Sequence, residues 1–95
     1  MPALAVLSIA TAAVAAEPPG SWSCVVNKVN SYTGYSYCYS IPSGHHQRVA
    51  LTCYDGVAGK HYVVLGPAVG NRVKSQASCS SSVRDAVTLV DVQAL

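Results

Sequence analysis

Phenylalanine is absent from the 95 residues, and tryptophan and methionine occur once each. A core built from this chain must take its bulk from tyrosine and from branched aliphatic side chains. Outside the first residues no segment repeats its apolar positions at the three- and four-residue spacing of a helix face. The longest apolar run falls short of the roughly 20 residues that a membrane-spanning helix needs. Positive charge is equally thin. Lys28, Arg48, Lys60, Arg72, Lys74 and Arg84 are scattered along a chain of net charge +2. Nucleic acid demands cations gathered on a face or stripe, and a polybasic membrane anchor needs the same, so neither partner is expected.

Signatures of catalysis are also missing. There is no Gly-x-Ser-x-Gly elbow, His-Glu-x-x-His pair, phosphate-cradling glycine loop or Ser-x-x-Lys. The acidic residues after Glu17 are Asp55, Asp85 and Asp91, and Asp55-Gly56 already has a use as a turn. His45 and His46 fall in an expected loop and His61 opens a later strand, so solvated surface outweighs a metal site. The chain is read as a non-enzyme without cofactor or metal.

What is present begins with a run of small and apolar residues, Ala3 to Ala16, ending in Ala13-Val14-Ala15-Ala16 before Glu17-Pro18-Pro19. Small residues at that spacing mark a secretory cleavage site. Residues 1–16 are therefore expected to be a signal peptide, and 17–95 a single small domain, secreted and monomeric. Met1-Pro2 lacks the usual opening Lys or Arg, which is explained if translation begins upstream. The competing reading is an Ala-rich helix belonging to the fold.

A domain of this size is marginal without staples. Cys24, Cys38, Cys53 and Cys79 stand 14, 15 and 26 residues apart, with no Cys-x-x-Cys pair. That is poor spacing for zinc and suits two disulfides formed after export.

Alternation and turn residues mark out the strands. They are expected over Ser21–Val29, Tyr35–Ile41, Gln47–Tyr54, His61–Leu65 and Arg84–Val92. Asn30 to Gly34, Pro42-Ser43-Gly44, Asp55-Gly56 and Gly66-Pro67 separate them. Residues 68–82 stay open between a ragged hairpin, turning at Val69 to Val73, and a loop around Cys79. The fold class is all-β: a small antiparallel β-sandwich or barrel of five to six strands.

A first hairpin turning at Ser31 sets Cys24 opposite Cys38. A second, turning between His45 and His46, would set Cys38 opposite Cys53. Three connectivities are possible. Cys24–Cys38 with Cys53–Cys79 is favoured, since it pairs every cysteine without crossing loops, each bridge contributing roughly 3 kcal/mol.

Tyr35, Tyr37 and Tyr39 alternate with Ser36, Cys38 and Ser40 and so share one strand face. If the cysteines face the core, these tyrosines face outward, beside Ala50, Thr52 and Tyr54 of the next strand. With Tyr32 in the preceding turn, they form a candidate surface for an extracellular protein or polysaccharide, because tyrosine gives large contact area at low entropy cost. Two readings compete with binding. The tyrosines supply the missing core bulk of a structural or cell-surface protein, or the chain is an antimicrobial or toxin-like protein.

Tyr62, Val64, Gly66-Pro67, Val69, Ser75, Ala77 and Cys79 resemble the pattern of small secreted actinobacterial proteins of unknown function. Glu17-Pro18-Pro19, Ser23-Cys24-Val25 and the order of the four cysteines are similar to the layout of tendamistat-type α-amylase inhibitors. The second resemblance implies a secreted six-stranded sandwich with two sequential disulfides and an inhibitor-like role. Where those inhibitors carry a Trp-Arg-Tyr triplet, this chain has Ser31-Tyr32-Thr33-Gly34-Tyr35.

Overall fold

The computed structural model describes residues 22–95. The expected signal segment and the leader Glu17 to Gly20 lie outside them. Six strands form, five of them close to where alternation and turn residues place them: β1 Ser23–Asn30, β2 Thr33–Ser40, β3 Gln47–Asp55, β4 Lys60–Leu65, β5 Lys74–Ser78 and β6 Asp85–Ala94, with β5 the one not expected. They make two antiparallel three-stranded sheets, ordered β1-β2-β5 and β4-β3-β6. The expected all-β sandwich is the fold. Residues 68–82, left open by the sequence, turn at Asn71-Arg72 and then supply β5.

The turns form for local reasons. Asn30 Oδ1 accepts the Tyr32 N–H at 3.0 Å, closing the β1–β2 hairpin. At the β3–β4 turn Asp55 Oδ1 accepts from the N–H groups of Val57 and Ala58, at 2.8 and 3.0 Å, and Gly59 takes the positive φ of 68°. An aspartate bonding its own downstream backbone is what makes Asp-Gly a turn former.

One expectation is corrected. The stretch Tyr35–Asp55 is not a hairpin, because β2 and β3 belong to different sheets. Each is the central strand of its own sheet and each has one buried face: Gly34, Ser36 and Cys38 on β2, and Gln47, Val49, Leu51 and Cys53 on β3. Pairing them edge to edge would put both sets on one side of a single sheet. Stacking them face to face buries both sets, and the loop 41–46 carries the chain across. Cys38 and Cys53 are consequently not cross-strand neighbours, and Tyr54 is not beside Tyr39.

Both favoured disulfides are present. Cys24–Cys38 joins directly paired positions of β1 and β2. Cys53–Cys79 ties β3 to the segment after β5 and so clamps one sheet to the other. Around it pack Val49, Leu51 and Val87, with Tyr32, Tyr62, Val64, Ala77 and Val90 at the margin.

A core this small also contains polar groups. Ser36, Gln47 and Ser75 between the sheets are paired, whereas the buried Asp85 Oδ1 accepts no hydrogen bond and has only the Arg84 guanidinium nearby. The Ser36 hydroxyl donates to Gln47 Oε1, and Gln47 Nε2 donates to the Val73 carbonyl at 3.1 Å. Ser75 Oγ donates to the Pro67 carbonyl at 2.7 Å and accepts the Val49 N–H at 3.1 Å. Paired in this way, inward-facing serines and a glutamine avoid the penalty of a buried polar group without a partner.

At one end of the sandwich the chain is sewn together. His46 and Leu95 exchange backbone hydrogen bonds in both directions. His45 Nδ1 lies 3.0 Å from the Leu95 carbonyl oxygen, and the Trp22 ring meets the His45 imidazole edge to face at 5.9 Å.

Candidate binding face

With Gly34, Ser36 and Cys38 of β2 turned inward, Tyr35, Tyr37 and Tyr39 project from the opposite face of the sheet. Tyr39 is 52% exposed, while Tyr35 and Tyr37 are half-buried by flanking side chains. None of the three belongs to the core cluster.

The neighbouring strands complete the face. On β1, Val25 pairs with Tyr37 and Asn27 with Tyr35; on β5, Lys74 pairs with Tyr37 and Gln76 with Tyr35. Directly paired residues of antiparallel strands share a side, so the tyrosine column runs between Val25 and Asn27 on one flank and Lys74 and Gln76 on the other. Within the column the Tyr37 and Tyr39 rings stand 5.0 Å apart at 77°. The Lys74 ammonium sits 4.5 Å from the centre of the Tyr35 ring. Arg72 precedes β5 in a left-handed turn, with φ 59°, and its N–H donates to the Cys38 carbonyl at 2.8 Å.

The other two tyrosines of the expected surface go elsewhere. Tyr32 packs against the core. The carbonyls of Ser31 and Tyr32 accept the N–H groups of Val87 and Cys79, each at 2.8 Å, so this turn anchors the hairpin to the rest of the molecule. Tyr54 lies on the outside of the opposite sheet, its ring 5.0 Å from that of His61. That second outer face carries an apolar patch, in which Val63 (61% exposed) pairs with Thr52, Thr52 in turn with Leu89 (56% exposed), and exposed Leu65 adjoins. Arg48, bonded to Gln93, and Asp91 lie beyond the patch on the same side.

Sequence reasoning found the column but missed Val25, Asn27, Lys74 and Gln76. Val25 and Asn27 were within reach, since setting Cys24 opposite Cys38 also sets Val25 against Tyr37. Lys74 and Gln76 were not, because β5 gives no strong strand signal of its own.

Ionisable groups elsewhere serve structure. The Tyr62 hydroxyl donates to Asp85 Oδ2 and accepts the Ser80 N–H at 2.9 Å. Arg84 Nε lies 3.6 Å from Asp85 Oδ1 and 3.8 Å from Asp55 Oδ1. The hydrogen bonds from Ala58 and Val57, with a smaller contribution from Arg84, hold the Asp55 carboxyl below its ordinary value. Among the described residues no three His, Cys, Asp or Glu side chains gather into a metal cluster, and no helix is long and apolar enough to cross a membrane.

Comparison with known proteins returns no match: no family model, no curated protein and no solved structure is similar to this chain.

Proposed function

We propose that this is an exported, non-catalytic binding module that engages its partner through the outer face of β2. The observation that carries the reading is the column Tyr35-Tyr37-Tyr39, turned away from the core of a protein that has no phenylalanine and whose core margin already uses Tyr32 and Tyr62. Were tyrosine needed here only for bulk, the column would face inward. Two disulfides fit an oxidising compartment, and hence export.

An inhibitor-like role is the form that the resemblance to tendamistat-type proteins suggests. The turn Ser31-Tyr32 is spent on anchoring the hairpin, so the proposal rests on the tyrosine face and not on that turn.

The test is Tyr37→Ser in the oxidised chain. Cross-strand contacts on an outer face contribute about 0.2–1 kcal/mol each, so the variant should melt within a few degrees of the parent and lose its partner. A core tyrosine would cost several kcal/mol through the cavity left behind. A large drop in Tm with partner retention unchanged would replace the binding reading with the structural one.

A further inference from the structure

The fold sorts charge that is scattered in the sequence. Residues 22–95 contain six Lys/Arg and three Asp. All three acids stand on the β4-β3-β6 sheet, Asp55 on β3 and Asp85 and Asp91 on β6. That sheet also holds Arg48 on β3 and Lys60 on β4, with Arg84 immediately before β6. Its charges balance. The β1-β2-β5 sheet carries Lys28 and Lys74, with Arg72 leading into β5, and no acid at all. Among the described residues only Arg84 forms ion pairs, so none of these three cations has an acidic partner. The whole excess of positive charge lies on the sheet that carries the tyrosines; Lys74 pairs with Tyr37 and stands on their side, whereas Lys28 pairs with Gly34 and stands on the other.

Ring geometry narrows the partner further. A polysaccharide lies flat on aromatic rings, each sugar presenting its C–H face to an open π-face, and successive sugars need rings that are close to coplanar. Here Lys74 covers one face of Tyr35, and Tyr37 and Tyr39 stand nearly perpendicular. Mutually perpendicular rings bearing hydroxyls, between the apolar Val25 and the Lys74 ammonium, match a protein surface with its mixture of apolar and hydrogen-bonding groups.

We propose that the tyrosine face receives an acidic protein surface, Lys74 and Arg72 meeting its carboxylates while Tyr37 and Tyr39 make the apolar contact. This rests on the binding reading above and assigns the class of partner. Lys74, held over Tyr35, is already placed beside the column it would help to cover. Complementary charge of this kind steers encounter and rejects basic partners, and salt weakens it.

The experiment is a selection from a random peptide library displayed on phage, with the oxidised full chain as bait. Enriched peptides should combine Asp and Glu with apolar residues. The strongest of them, made synthetically, should lose binding to Tyr37→Ser. It should weaken about tenfold with Lys74→Glu and with Arg72→Glu, and weaken again when NaCl is raised from about 50 to about 500 mM. Disulfide mapping and Tm verify each variant, with Lys74→Gln replacing any that misfolds. Enriched peptides without acidic bias, or undiminished binding to Lys74→Glu, overturn the charge assignment, while loss with Tyr37→Ser would still leave the face as the site. Binding indifferent to Tyr37→Ser overturns the face as well. Tighter binding of alginate or heparin tetrasaccharides, dependent on Tyr37 and Lys74, overturns the assignment in favour of an anionic polysaccharide.

Discussion

Gly34 lies so close to Leu51 of the opposite sheet that a methyl group added to it would sit 2.7 Å from Leu51 Cδ2 and 3.0 Å from Val90 Cγ2. The spacing of the two sheets at this point is set by the missing side chain. Overpacking a well-filled core costs about 1–3 kcal/mol, so Gly34→Ala should lower the free energy of unfolding by that amount in a denaturant titration. Gly70→Ala is the control. Nothing lies within 4 Å of its added methyl, and it should change stability by no more than about 0.5 kcal/mol.

Ser36→Ala tests the polar seam between the sheets. It removes the donor to Gln47 Oε1, an acceptor on a fully buried side chain. Stranding such a group costs about 1–3 kcal/mol. An unchanged denaturation midpoint would show that the hydrogen bond contributes nothing to the assembly of the two sheets.

The two disulfides should differ in worth and in lability. Cys53–Cys79 closes the longer loop, 26 residues against 14, and both its cysteines are buried. Loop-closure entropy assigns each bridge about 3 kcal/mol, the longer slightly more, and loss of packing adds to the cost of the buried one. Paired Cys→Ser replacement should therefore lower Tm further at Cys53/Cys79 than at Cys24/Cys38. In mild dithiothreitol, thiol labelling should appear first at Cys24, whose residue is partly exposed.

Acid should weaken the β3–β4 turn through Asp55. Its carboxyl titrates below the ordinary value of 3.8 because the charged form accepts the Ala58 and Val57 N–H bonds, with Arg84 nearby. A group with a depressed folded-state pKa contributes its full stability above the unfolded value and loses it as pH falls through the folded one. The Tm difference between the parent and Asp55→Asn should thus be constant above about pH 5 and shrink below about pH 4. A difference that persists unchanged to about pH 2 would remove Asp55 from the acid response.

On the apolar outer patch, Leu89→Thr and Val63→Thr should be nearly neutral for stability, within about 0.5 kcal/mol, since both side chains are more than half exposed. Light scattering at raised concentration should fall if these residues promote association. A large loss of stability would show that they are packed in solution.

Much of this architecture could be read along the chain. Alternation in β2 and β3 separated buried from outward residues, and one register relation, Cys24 against Cys38, yielded a disulfide and contained the Val25 flank of the tyrosine column without its being drawn. What escaped depended on contacts distant in sequence. Lys74-Ser75-Gln76-Ala77-Ser78 contains no branched or aromatic residue, and its inward positions are the small Ser75 and Ala77, so β5 has no local strand signature. Ser75 is tolerable inside only because Pro67 and Val49 satisfy it. The misplaced hairpin has the same origin. Pro42 to His46 is as suitable for a corner between layers as for a turn within one, and only the burial of both inner faces decides between them.

Trp22 and Leu95 converge on His45, one by its ring and the other by its carbonyl oxygen. A substitution at His45 therefore loosens the approach to β1 and the end of β6 together, although the two strands are the first and last among the described residues.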